Sequence, residues 1–171
     1  MRTSTKGLFN LTAAAVLLVA AGCAALGQVI QPPTFSSAPN QQSQIRLLGP
    51  GSGHPLGGIG IRLYARVQNP NPFGLTLTRV AGNLFLEGQR TANVDLPIGL
   101  PMRAAQDTVL PIDLSVSFSD IPGIVTTIQQ ALTRNTIAYR LDGTFGVDAG
   151  PLGQPTFGPQ TLFGGNVQVV R

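Results

Sequence analysis

Residues 66 to 88 read RVQNPNPFGLTLTRVAGNLFLEG, and this stretch decides how the chain folds. It sets two Asn-Pro pairs, 69–70 and 71–72, directly after one run of alternating apolar residues and ahead of another. Pro70 and Pro72 carry no N–H and lock φ. They also push Asn69 and Asn71 toward extended backbone. A hydrogen-bonded ladder therefore stops after Gln68, and the chain turns a stiff corner there. Asparagine side chains can supply the hydrogen bonds that the proline backbone lacks. Phe73 and Leu75 then lead back into the apolar interior. Asn69, Pro70 and Asn71 are accordingly read as structural residues, in preference to a ligand site made by the two amides.

Alternation extends outward from this corner in both directions. In GIGIRLYARVQ, residues 58–68, Ile59, Ile61, Leu63, Ala65 and Val67 share one face. Arg62, Tyr64, Arg66 and Gln68 share the other, which is the pattern of a half-buried strand. Val80, Gly82, Leu84 and Leu86 repeat it, as do Ala92, Val94, Leu96 and Ile98. Leu110, Ile112, Leu114, Val116 and Phe118 follow, then Ile137, Tyr139, Leu141, Gly143 and Phe145. Residues 162–170 close the set, and residues 45–48 open it. One helix is expected in SDIPGIVTTIQQALTR, residues 119–134. Ser119 or Asp120 is its N-cap and Pro122 sits in its first turn. Ile121, Ile124, Val125, Ile128 and Leu132 line one face. About seven strands with a turn every ten residues or so predict an all-β fold, a single antiparallel β-sandwich with one short helix.

The order strand, Asn-Pro-Asn, apolar pair, strand ending near a Gly resembles the signature of the WHy domain of late-embryogenesis-abundant type 2 proteins. The matching positions are Asn69, Pro70, Asn71, Phe73, Leu75 and Gly88, and the later strand, capped helix and strand agree. The resemblance covers roughly residues 43 to 170. It implies a seven-stranded sandwich similar to fibronectin type III folds. It also implies a protective role under desiccation, freezing or oxidation. A Gly-rich insert, LGPGSGHPLGGIG at residues 48–60, and an N-terminal anchor signal depart from the family pattern.

That signal is MRTSTKGLFNLTAAAVLLVAAGC, residues 1–23. Arg2 and Lys6 form its positive region, and residues 11–21 are apolar apart from Thr12. The run is shorter than the roughly 20 residues that span a bilayer. It ends in small residues before Cys23, the only cysteine of the chain. VAAGC, residues 19–23, resembles the bacterial lipobox, with Ala20 where that family most often has Leu. Cys23 is therefore expected to be the lipid anchor, and acylation with more than one chain gives stable membrane attachment. Ala24 follows rather than Asp, which by resemblance to lipoprotein sorting implies the outer membrane. Residues 24–44 carry no charge, and QPPTFSSAPNQQSQ, residues 31–44, reads as a flexible tether, in preference to an edge strand formed by part of the stretch, with Val29 and Ile30 as candidates. The expected organisation is a lipoprotein signal peptide over 1–22, lipidated Cys23 and tether over 23–42, and a sandwich domain over 43–171. The expected place is the cell envelope, lipid-anchored, with the domain outside the cytoplasm.

Composition narrows the function. Charged residues are 11% of the chain, against about 25% in ordinary soluble domains. Beyond the signal, nine arginines stand singly among seven acids, with no basic cluster of the kind that nucleic acid requires. No nucleic-acid partner is expected. His54 is the only histidine and lies in the Gly-rich insert; it is read as an exposed loop residue. A zinc site needs about four ligands, and no second His or spare Cys is at hand. No nucleophile elbow or phosphate-binding loop is present. The acids form no close pair along the chain. No catalytic, metal or cofactor-binding residue and no small-molecule substrate is expected, so the chain is read as not an enzyme. Two functions remain open. One is an envelope-tethered stress-protection protein that holds client proteins apart through weak, broad contacts. The other is a structural or assembly lipoprotein of the envelope with one defined protein partner. A carrier of a lipid between the sheets is a third, less favoured reading.

Overall fold

In the computed structural model, residues 30–51, 53–120, 126 and 134–170 are described. Eight strands account for most of them: β1 Thr34–Ser37, β2 Gln44–Leu48, β3 Gly58–Gln68, β4 Leu75–Leu86, β5 Gln89–Met102, β6 Asp107–Ser117, β7 Thr136–Asp148 and β8 Thr156–Val170. A 3-10 turn, Gly150–Leu152, joins the last two.

Strand β3 is the axis of the first half. Its alternation buries Ile59, Ile61, Leu63, Ala65 and Val67, each at most 2% exposed, as the sequence pattern predicts. Strand β6 pairs antiparallel along one side of β3, from Gly58↔Ser117 to Gln68↔Asp107. Along the other side β1 and β2 share the ladder, β1 opposite residues 65–68 and β2 opposite 58–62. The second half runs β8, β7, β4, β5, all antiparallel. The short parallel pairing of β2 with β8, at 44–46 and 168–170, joins the halves into one mixed sheet. The sheet is folded over a single apolar core, so the architecture is all-β and sandwich-like. Phe35 on β1 meets Phe145 on β7 across it, ring centroids 4.8 Å apart, and Phe157 on β8 continues the aromatic row at 5.4 Å.

Three features differ from the sequence expectation. Among the described residues there are eight strands, and one pairing is parallel. The added strand, β1, lies in the stretch read as tether. Residues 30–42 belong to the folded unit: Ile30 is 4% exposed, Ala38 is buried, and β1 pairs with β3. The polar composition of this stretch hid one apolar side chain, Phe35, and backbone groups that a neighbouring strand could satisfy. The expected helix over 119–134 falls largely outside the described residues; Thr126 and Arg134 are described and helical.

Strand β4 starts earlier than its plainest alternation. Leu75 and Leu77 face the core at odd positions, and Val80, Leu84 and Leu86 at even ones. The change of phase coincides with a register shift between Leu77 and Arg79 against both neighbours, where a bulge turns the side-chain sequence over. On β5 the same irregularity contains Gly99, whose φ of 63° suits glycine. Further along, Gly82 and Gly143 sit opposite each other on β4 and β7. A Cβ on Gly82 would lie 2.1 Å from the Asp142 carbonyl oxygen, and one on Gly143 2.2 Å from that of Ala81. Two side-chain-free residues are what let the strands approach so closely here.

Candidate functional site

The Asn-Pro corner is the most heavily bonded polar point among the described residues. Asn69 is 0% and Asn71 1% exposed, two of the four buried polar residues described. Burying a carboxamide is unfavourable unless its donors and acceptors find partners. Asn69 finds four. Its Nδ2 donates to the Phe73 carbonyl at 2.8 Å and the Arg103 carbonyl at 3.1 Å. Its Oδ1 accepts from the Asn71 backbone N–H at 3.0 Å and from Asn71 Nδ2 at 2.9 Å.

Asn71 carries the network to a third segment. Its Nδ2 donates to the Gln31 carbonyl at 2.8 Å, and its Oδ1 accepts the Gln31 N–H at 2.8 Å. This side-chain amide thus pairs with Gln31 as the backbone of a neighbouring strand would. The backbone joins in: Asn69 N donates to the Gln106 carbonyl and Ala105 N to the Asn71 carbonyl, each at 2.9 Å. Half-buried Pro70 and exposed Pro72 hold the corner's backbone while needing no acceptor themselves. Three stretches far apart in sequence meet: residue 31, residues 69–73, and the β5–β6 crossover at 103–106. Asn69 has no donor or acceptor left for a ligand. Gln31, Arg103 and Ala105 were not legible as partners, because nothing local marks a contact made across 30 or 40 residues.

Cys23 and the whole signal segment lie outside the described residues. His54 is placed, and it is half-buried rather than exposed: its Nε2 is 2.8 Å from Ser115 Oγ. Among the described residues its buried Nδ1 has no hydrogen-bond partner, so none of them supplies the carboxylate that would complete a Ser-His-Asp relay with this pair.

Most of the acids are paired with arginines on the outer faces, whereas Asp148 accepts from the Gly150 N–H and Gln154 Nε2. Arg62 donates to Asp113 at 2.6 Å and 3.1 Å, and the two residues are directly opposite in the β3–β6 register. Arg66 pairs with Asp107, Arg79 with Asp95, and Arg140 with Asp142 at 2.9 Å. The Arg79 hydrogen bonds and charge hold the Asp95 carboxyl below the usual carboxylate range, and Arg79 itself is pushed up. These pairs lie at the surface, with only Asp142 half-buried, so each adds little stability. A shallow trough of about 320 Å³ on the outer face of β2, β3 and β6 is lined by Gln44, Arg46, Gly60, Arg62, Asp113 and Ser115 among others. Among the described residues no group of three His, Cys, Asp or Glu is placed to hold a metal ion.

The class defined by these features is an all-β, sandwich-like domain whose polar core is a structural knot. Residues 64–160, more than half of the chain, match the family model for late embryogenesis abundant protein, and the chain belongs to that family, type 2. Among solved structures it is similar to AT1g01470 from Arabidopsis thaliana, determined in solution, with 16% identity over 83% of this chain and 85% of that one and a TM-score of 0.58. It also aligns with At2g46140.1, a candidate late embryogenesis abundant (LEA) protein, at 18% identity over 81% of this chain and 72% of that one, TM-score 0.47. At such identities the first likeness shows the shared fold and nothing more. No curated protein matches the chain. The family is generally non-enzymatic and associated in broad terms with stress and desiccation.

Proposed function

We propose that this protein is an envelope-tethered, non-enzymatic protector of client proteins under drying, freezing or oxidative stress. The observation that carries the reading is membership of the late-embryogenesis-abundant family over residues 64–160. The chemistry of the domain supports it. Among the described residues the polar groups are engaged with one another: the asparagines in the corner, most of the acids in surface ion pairs, the histidine with a serine. What remains outside is a low-charge surface, suited to weak and broad contacts with partly unfolded clients. Tethering follows from Cys23 as a lipid anchor, and Ala24 favours the outer membrane.

A drying or freeze–thaw assay on a labile enzyme tests the protective role. The chain from residue 24 is the right material, because starting at 43 would remove β1. Preservation of enzyme activity at near-equimolar ratio, beyond that given by an equal mass of an inert protein, is expected. Parity with the inert protein would overturn the reading and direct attention to a single envelope partner, recoverable by cross-linking in cells.

A further inference from the structure

The corner fixes where the chain leaves the domain and how far the domain can stand from its anchor. Gln31 is clamped by two hydrogen bonds to Asn71, and Ile30 is buried. A tether lasting to residue 42 would reach about 70 Å from Cys23 when extended. The clamp leaves six residues, 24–29, between Cys23 and Ile30, and the fully extended contour of this leash is about 25 Å at most. That is shorter than the sandwich itself, whose strands of 11 residues and more run about 35 Å.

The first described residues, 30–33, also lie at one defined end of the strands. Gln68 pairs with Thr34 and Asp107, and Thr76 with Pro101 and Asp148, so residues 30–33, 69–74, 103–106 and 149–155 all cluster at the same end of the strands. The opposite end carries the Gly-rich loop 49–57 and the β4–β5 turn. The leash end suits a phospholipid surface. Arg103 is exposed and has no carboxylate partner among the described residues, so its guanidinium is available to headgroup phosphates. Leu152 is 38% exposed beside exposed Pro151, and Pro72 is exposed at the corner.

We propose that the Asn69–Asn71 corner shortens the leash so that the sandwich is held with its corner end against the bilayer and its Gly-rich loop end pointing away. Clients would then meet the distal end and the outer sheet faces. The inference rests on Cys23 being the anchor, as read under Proposed function.

The test uses the full-length lipoprotein purified from membranes into vesicles of phosphatidylethanolamine and phosphatidylglycerol carrying a headgroup quencher. An acylated Cys23 has no free thiol, so Gln106→Cys at the corner end and Leu56→Cys at the distal end each take one fluorophore. Both side chains are exposed, Leu56 at 70%, so neither change disturbs packing. Quenching at position 106 is expected to be several-fold stronger than at 56. Inserting about twenty Gly-Ser residues between positions 28 and 29 is expected to remove the difference. Equal quenching at the two ends with the native leash, or a difference that survives the insertion, overturns the proposal. Cys23→Ser separates the two readings. If it leaves membrane fractionation unchanged, the anchor fails and the orientation with it. If it releases the protein while the two ends quench equally, only the orientation fails.

Discussion

Asn69 Oδ1 accepts both the backbone N–H and the side-chain amide of Asn71, at 3.0 and 2.9 Å, inside a corner from which solvent is excluded. The two residues are separated by one proline and act as one unit. The first supplies the acceptor that orients the second, and the second supplies the pair of groups that hold Gln31.

Replacing Asn69 by Ala would leave the Phe73 and Arg103 carbonyls and the Asn71 N–H buried without this partner. A single orphaned buried group costs about 1–3 kcal/mol, and partial rearrangement recovers some of it. A loss of about 3 kcal/mol is expected, read as a lowered urea midpoint. Asn69→Asp is expected to be no milder, because a carboxylate cannot donate to either carbonyl.

Asn71→Ala is expected to act more locally. It frees Gln31 and loosens β1, so amide exchange of residues 35–38 should accelerate well before that of β3 and β7 does. Uniform acceleration across all strands would show that the corner and β1 are not separable from the global fold.

Phe35→Ala should destabilise the domain by about 2 kcal/mol. That is below the roughly 3–5 kcal/mol of a fully buried Phe, since Phe35 is only half-buried. It removes the contact with Phe145 at 4.8 Å and thereby one tie between the halves of the sheet. Denaturant unfolding of the chain from residue 24 measures it, and an unchanged midpoint would mean that β1 contributes no net stability.

Gly82→Ala and Gly143→Ala should each cost at least about 3 kcal/mol, at or beyond the upper end of ordinary overpacking, because the new methyl meets backbone and not a movable side chain. Gly49→Ala meets nothing within 4 Å and serves as the control, with little change in stability expected.

Asp95 offers a check by pH. Its folded pKa lies below the ordinary carboxylate value of about 3.9 because Arg79 donates two hydrogen bonds to the ionised form. A depressed folded pKa stabilises above the unfolded pKa, and that contribution fades as pH falls through the folded value. The effect on stability is small at so exposed a site, so carbon NMR titration of the carboxyl is the sharper measurement. Arg79→Gln is expected to move its midpoint up toward the ordinary value.

Much of this was legible beforehand in particular residues. The alternation of Ile59, Ile61, Leu63, Ala65 and Val67 placed β3 and its buried face, because a period of two leaves no other way to remove five apolar side chains from water. Pro70 and Pro72 placed the end of that strand at Gln68, because a missing N–H cannot be replaced by any neighbour. The phase change between Leu77 and Val80 was present in the letters too, as a bulge that alternation alone passes over. By contrast β1 was passed over: the stretch reads as a tether in preference to an edge strand, and Thr34, Phe35, Ser36 and Ser37 form one because the flank of β3 beyond β2 offers a ladder to pair with. The role of His54 was hidden, since Ser115 reaches it from another strand.

The residue pattern alone thus determined an all-β chain, its buried faces and a rigid corner after Gln68, because periodicity and proline geometry act within a few residues. The tertiary structure alone decided what the corner grips, where the folded unit begins and which strands join the two halves. Those are hydrogen bonds between segments tens of residues apart, such as Gln31 with Asn71 or residues 44–46 with 168–170, and each forms only when the whole sheet brings its two partners together.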